Sequence, residues 1–158
     1  MAGNADPIYS KVGDIQSGNT NRTVTNVCGF VANTSQAGDS SSTSMYDVYQ
    51  ADATNGGYLQ KLSFQSVKSP AATVCRIFIS SITGALTLGT TNTSLNTWLF
   101  TEIGLPLITV SNSVAAPHIE VPMNLAMPPG YRILISFGTT TGVDATQGWS
   151  VTAIAGKY

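Results

Sequence analysis

Apolar residues in this chain recur at every second position in short runs, and clusters of Gly, Pro, Asn and Ser separate the runs. A period of two sends successive side chains to opposite faces of a strand, whereas an amphipathic helix needs spacings of three and four. Helical spacing is absent nearly everywhere. Strands are therefore expected at Arg22–Ala32, Met45–Gln50, Tyr58–Val67, Ala72–Ser80, Trp98–Leu105, His118–Met123, Tyr131–Phe137 and Trp149–Ile154, with Leu107–Val110 a possible continuation of the fifth. In the third run Leu62 and Phe64 share a face with Tyr58 and Gln60, and Leu59, Lys61, Ser63 and Gln65 share the other. The run Val74 to Ile79 is apolar on both faces, the pattern of a strand with neighbours on either side. Ile119, Val121 and Met123 point inward in one later run, as do Tyr131, Ile133, Ile135 and Phe137 in the next. Asp52-Ala53-Thr54-Asn55-Gly56-Gly57 is a turn in which glycine supplies the positive φ that a tight connection needs.

About eight strands with turn signals every 8–15 residues or so predict an all-β fold, an antiparallel, jelly-roll-like sandwich. Sequential strands usually lie side by side. Tyr58–Val67 with Ala72–Ser80, and His118–Met123 with Tyr131–Phe137, are the expected hairpins. Residues 1–20 read as an extended N-terminal arm and residues 21–158 as the sandwich domain. Ile8, Tyr9, Val12 and Ile15 are the apolar points of the arm and its candidate partner-binding residues. The alternative is that the arm forms an edge strand of its own sandwich.

Composition changes the picture in one respect. At 158 residues the chain is long enough for one domain with its own core, but only 9% of it is charged, against roughly 25% for an average domain. Ser, Thr, Asn and Gly take the place of charge, and the net charge is −1. A near-neutral, hydroxyl-rich surface suits close packing among identical copies, since self-repulsion is weak. The seven Lys and Arg form no cluster, so no nucleic-acid partner is expected, because binding to phosphates needs a basic patch. The apolar runs fall far short of the ~20 residues of a membrane-spanning helix, and no membrane partner is expected. The start of the chain has neither the basic residues nor the apolar stretch of a signal peptide, which predicts a protein made and kept in the cytoplasm, or one that leaves it by a route that needs no signal. On that expectation Cys28 and Cys75, the only cysteines, are two reduced, buried thiols. The sequons at Asn21, Asn33 and Asn92 then carry no meaning as glycan sites.

Little in the sequence can perform chemistry. His118 is the only histidine and falls on the outward face of its strand, beside Pro117. A second imidazole or a nearby cysteine pair would be needed for zinc. A triad would need a serine in reach, a carboxylate behind the ring, and a strained Gly-x-Ser-x-Gly turn or its equivalent, and that motif is absent. Glu102 and Glu120 are the only glutamates, a conceivable glycosidase pair. The aspartates mostly sit at turns, where Asp bonds its own backbone. Asn55-Gly56-Gly57 lacks the Lys and the following helix of a phosphate loop. Trp98 and Trp149 are expected in the core. No catalytic, cofactor-binding or metal-binding residue is expected.

Several segments in order carry a likeness. Tyr9-Ser10-Lys11-Val12-Gly13-Asp14-Ile15-Gln16 is followed by Tyr49-Gln50-Ala51-Asp52-Ala53-Thr54-Asn55-Gly56-Gly57, then by Leu59-Gln60-Lys61-Leu62-Ser63-Phe64 and Ala72-Thr73-Val74-Cys75-Arg76-Ile77-Phe78-Ile79. Glu102-Ile103-Gly104-Leu105-Pro106, Met127-Pro128-Pro129-Gly130-Tyr131-Arg132 and Gly148-Trp149-Ser150-Val151-Thr152-Ala153 complete the series. Together they resemble the small β-sandwich virion proteins of tailed bacteriophages, in particular capsid decoration (cement) proteins. The resemblance implies a jelly-roll-like domain that forms a dimer or trimer, clamps major capsid proteins and resides on the virion. A phage tail or fibre component, or a carbohydrate-binding β-sandwich, is the alternative.

Overall fold

A computed structural model describes residues 12–17, 27–29, 31–38, 44–142 and 146–158. The described residues are all-β and contain no helix. Eight strands form in the order β1 (Val12–Ser17), β2 (Met45–Gln50), β3 (Gly57–Val67), β4 (Thr73–Ser80), β5 (Thr97–Leu105), β6 (His118–Met127), β7 (Arg132–Phe137) and β8 (Gly148–Lys157). They make two four-stranded antiparallel sheets, one ordered β1-β8-β3-β6 and the other β2-β7-β4-β5. Each strand thus pairs with its mirror image in the sequence: first with last, second with seventh, third with sixth, fourth with fifth.

Neither expected hairpin forms. β3 has both edges occupied, by β8 and β6, and β4 lies in the opposite sheet. The connection between them runs through Lys68, held at φ 56, and then Pro70. This is an arch from sheet to sheet and not a two-residue hairpin turn. Pro128 and Pro129 likewise carry the chain from β6 across to β7. The expected strand Arg22–Ala32 is also absent where the chain is described. Only Cys28 bridges there, exchanging backbone bonds of 2.8 and 2.9 Å with Trp149. Val12–Ser17, expected within an arm, are the edge strand β1, in register from Val12↔Lys157 to Ser17↔Thr152. Leu107–Val110 adds no strand. The Ile108 amide instead bonds the Pro70 carbonyl, at 3.1 Å.

The main core fills the space between the sheets. Leu59, Leu62 and Phe64 of β3 and Trp149, Val151 and Ala153 of β8 meet Tyr46 and Tyr49 of β2, Cys75 and Ile77 of β4, and Ile133, Ile135 and Phe137 of β7. Each such side chain contributes ~1.5–3 kcal/mol when fully buried. Leu59 joins Leu62 and Phe64, although simple alternation puts it on the opposite face. The register shifts between Leu59 and Lys61 against both neighbouring strands. This bulge adds one residue and so flips the faces beyond it.

A second, smaller core covers the outer face of the other sheet. Met45, Phe78 and Leu134 project there, and Leu86 and Leu88 of the long β4–β5 connection fold down on them. The Arg132 guanidinium holds that connection in place. It is paired with Asp47 and donates to the carbonyls of Ile82 (3.2 Å) and Gly84 (2.9 Å). Asn92 is buried and donates to the Gly38 carbonyl at 2.7 Å, while Asn33 accepts from the Ser35 amide at 2.9 Å. Two of the three sequon asparagines are therefore engaged in turn structure. Asn21 lies outside the described residues.

Tyr49 gives a pH dependence. Its hydroxyl is buried without a hydrogen-bond partner among the described residues, and lies against Gly57, where any Cβ would collide with it. Burial, then the negative charge of Asp14, pushes its pKa from 10.0 up to about 12. The unfolded chain ionises at the lower value, so stability from this group is intact below pH 10. It falls as the pH rises towards 12, by about 2–3 kcal/mol in all. Tyr49→Phe should abolish that component of the alkaline loss and leave neutral-pH stability equal or higher, as denaturant unfolding at pH 7 and 11 would reveal.

Candidate functional site

The two long sides of the sandwich differ. On one side β1 and β2 are the edges, and the Gln16 side chain joins them. Its amide nitrogen donates to the Gln50 carbonyl at 2.8 Å and its oxygen accepts from the Gln50 amide at 2.9 Å. One side chain thereby gives the Gln50 backbone both bonds that a neighbouring strand would give, tying β1 to β2 at that point.

On the other side β5 and β6 are the edges, and no hydrogen bonding joins them. Ile103 of β5 and Ile119, Val121 and Leu125 of β6 face the main core but are only half-buried. Trp98, opposite Ile79 on β4, lies at the same margin and is 43% exposed. The sequence reading placed Trp98 in the core, as it did Trp149. Strand alternation carries that expectation, but an inward side chain on an edge strand has no sheet above it to cover it. Trp149, in the middle of its sheet, is fully buried.

Among the described residues there are eight exposed large hydrophobic side chains, and six of them fall in one stretch: Leu95, Trp98, Phe100, Leu107, Val110 and Val114. Leu95 is 94% exposed and Val114 69%. The stretch is β5 with its flanking turns. Single exposed apolar residues are ordinary; here they line the length of one edge, with Leu95 before the start of β5 and Leu107, Val110 and Val114 beyond its end. The two edges are also unequally guarded. β6 carries Pro122 in its ladder, Asn124 at φ 50, and the polar His118 and Glu120. These are the devices that blunt an edge. β5 has neither Pro nor Lys, and its one charged residue is Glu102. Its one irregularity is a bulge opposite Ile77–Phe78 that makes Phe100 the extra residue.

The sequence-level candidates scatter. Ile8 and Tyr9 lie outside the described residues, as does the side chain of Val12, and Ile15 points outward from β1, 72% exposed. Glu102 sits on the outer face of one sheet, held by Arg76 at 2.7 Å and by Gln36 at 3.2 Å. Glu120 sits on the outer face of the other sheet and pairs with Lys61 at 2.6 Å, a bond that lowers its pKa. The two carboxylates face away from each other across the whole sandwich, so they cannot flank one glycosidic bond.

His118 does have a neighbour that sequence reasoning missed. Its Nε2 meets the Ser63 hydroxyl, because His118 pairs with Gln65 and Glu120 with Ser63 on adjacent strands. Cross-strand register brings together residues 55 positions apart, which no local motif reveals. The pair lies on the outer face of the β1-β8-β3-β6 sheet, with His118 on its edge strand.

Cys28 and Cys75 are both buried and form no disulfide, and burial raises the Cys75 pKa. Among the described residues no cluster of three or more His, Cys, Asp or Glu could hold a metal, and no helix is long and apolar enough to cross a membrane. A crevice of about 350 Å³ opens between Ser69, Leu107, Thr140, Thr141 and Gln147. The Thr141 hydroxyl and the Gln147 amide are directed within the chain, to the carbonyls of Gly29 and Ser69. Comparison with family models, with curated proteins and with solved structures gave no match.

Proposed function

We propose that this chain is a structural subunit of a tailed-bacteriophage particle, a capsid decoration protein whose jelly-roll domain binds major capsid proteins and stabilises the shell. The nested strand pairing supports the jelly-roll part of this reading, since eight strands in two sheets wound as two Greek keys have that order. Fold alone does not fix function. The observation that carries the reading is the uneven surface. One side of the sandwich is bridged by Gln16, and the other leaves half-buried core residues beside a free edge, with six exposed apolar side chains along β5 and its flanking turns. That surface is suited to a protein partner, and a low-charge exterior permits dense packing on a lattice.

The test is where the protein resides. Particles separated into filled heads and free tails, probed by mass spectrometry, should show it with the heads, and heads lacking it should lose their DNA at lower temperature. Recovery with the tails would replace the decoration reading with a tail or fibre component. Selective binding on a glycan array, lost on substitution of Trp98, would favour a carbohydrate-binding sandwich.

A further inference from the structure

We infer that Cys28 and Cys75 form a built-in cross-linking site, at which a small-molecule disulfide converts the two thiols into one covalent staple between the sheets. The pair lies apart from the β5 margin and is independent of which particle the protein belongs to.

The fold places the two thiols around one side chain. Cys75 faces the main core from β4 and pairs in the ladder with Phe137 of β7. Cys28 belongs to the same core cluster and, like Cys75, is fully buried. It hangs from the opposite sheet through its bridge to Trp149 of β8. Gly29 and Asn33 then reach β7. A Cβ at Gly29 would lie 3.3 Å from the Phe137 ring, and the Asn33 amide bonds the Phe137 carbonyl at 2.7 Å. The guanidinium of Arg76, next to Cys75, donates to the Asn33 carbonyl at 2.6 Å. Electrostatics agrees: after burial, the charge that Cys28 would carry is the next cause that pushes the Cys75 thiol up. A disulfide needs its two Cα atoms within about 7 Å. Cys28 lies outside the named strands, so its segment can settle to that separation without breaking a ladder.

The reaction is a double exchange. One cysteine loses its proton to water, and its thiolate attacks a sulfur of the small disulfide, releasing one small thiolate. The second cysteine, deprotonated in turn, attacks the protein sulfur of the mixed disulfide and releases the other. The two small thiolates take up the two protons, so the chain is oxidised by one electron pair and the small disulfide is reduced by it. Burial makes the native thiols slow to react. The site is therefore silent in reducing surroundings and is engaged by prolonged exposure to an oxidising medium.

Full-length protein equilibrated with oxidised and reduced glutathione tests this, in urea below the unfolding transition so that local opening is frequent. Equilibrium is approached both from the reduced chain and from chain oxidised while unfolded, and the products are read by alkylation and mass mapping. Both routes should give an internal Cys28–Cys75 bond and no glutathione adduct. Because the bond closes a long loop, the urea midpoint should rise by about 1 M, and excess dithiothreitol should return it. Cys75→Ser should take up a single glutathione, at Cys28, without that rise. Should the variant fail to fold, the wild type alone decides. Chains that end reduced, or with glutathione on both cysteines, in excess oxidised glutathione overturn the inference. So does an internal bond that lowers the midpoint, because the native fold would then hold the thiols too far apart. None of these outcomes touches the decoration reading, which the separation of heads from tails tests.

Discussion

Arg132→Met should destabilise the sandwich by about 3–5 kcal/mol, because it leaves the carboxylate of Asp47 buried without its guanidinium. Asp47 is 2% exposed and Arg132 only 9%, so water cannot stand in for the missing charge. The same guanidinium supplies donors to Ile82 and Gly84, and losing them frees the β4–β5 connection from the outer core. Two readouts should move together: the urea midpoint falls at unchanged slope, and amides of the 81–96 connection exchange faster. Replacing the pair as a unit, Asp47→Leu with Arg132→Met, should recover much of the loss, since removing both charges removes the desolvation cost as well. A double variant no more stable than the single one would assign the loss to the loop carbonyls instead.

Trp149→Ala should cost about 3–5 kcal/mol, the range for deleting a large aromatic side chain from a core that cannot collapse to fill the space. Trp149 is fully buried between the sheets, and its backbone also forms the bridge to Cys28. Trp149→Phe should cost much less. The indole Nε1 has no hydrogen-bond partner among the described residues, so that change gives up contact area but no polar bond. Fluorescence separates the two tryptophans: iodide should quench Trp98 strongly and Trp149 hardly at all. An alanine variant as stable as the phenylalanine one would mean that the site repacks.

The strands were legible because period two is a local signal. Met45–Gln50 is found with the expected bounds, and β3, β4, β5 and β7 begin within a residue of them. The partners were not legible. Alternation tells which residues share a face, but the choice between a hairpin and an arch is made by distant strands competing for the same edge. The bulge at Leu59 shows a second limit, since one inserted residue reverses the faces and leaves no mark in composition. For the candidate surface, the scarcity of charge from Leu95 to Pro117, where only Glu102 is charged, was readable in principle. Its meaning depended on β5 being an edge, which only the sheet order supplies. Ser63 and His118 met for the same reason, through register.

The nested pairing has a consequence for how the chain reaches its fold. β4 and β5 are the only sequence neighbours that pair, so only their contact closes a short loop. Every later pair closes a longer one, up to Val12 against Lys157, and the entropy of closure grows at each step. Chains dominated by such distant contacts fold in roughly milliseconds to seconds, not microseconds. β8 lies between β1 and β3 and is the last strand synthesised. Until it emerges from the ribosome, one sheet lacks a central strand, and the main core lacks Trp149, Val151 and Ala153. With so few charges to keep nascent chains apart, this protein is expected to depend on chaperones when made at high concentration.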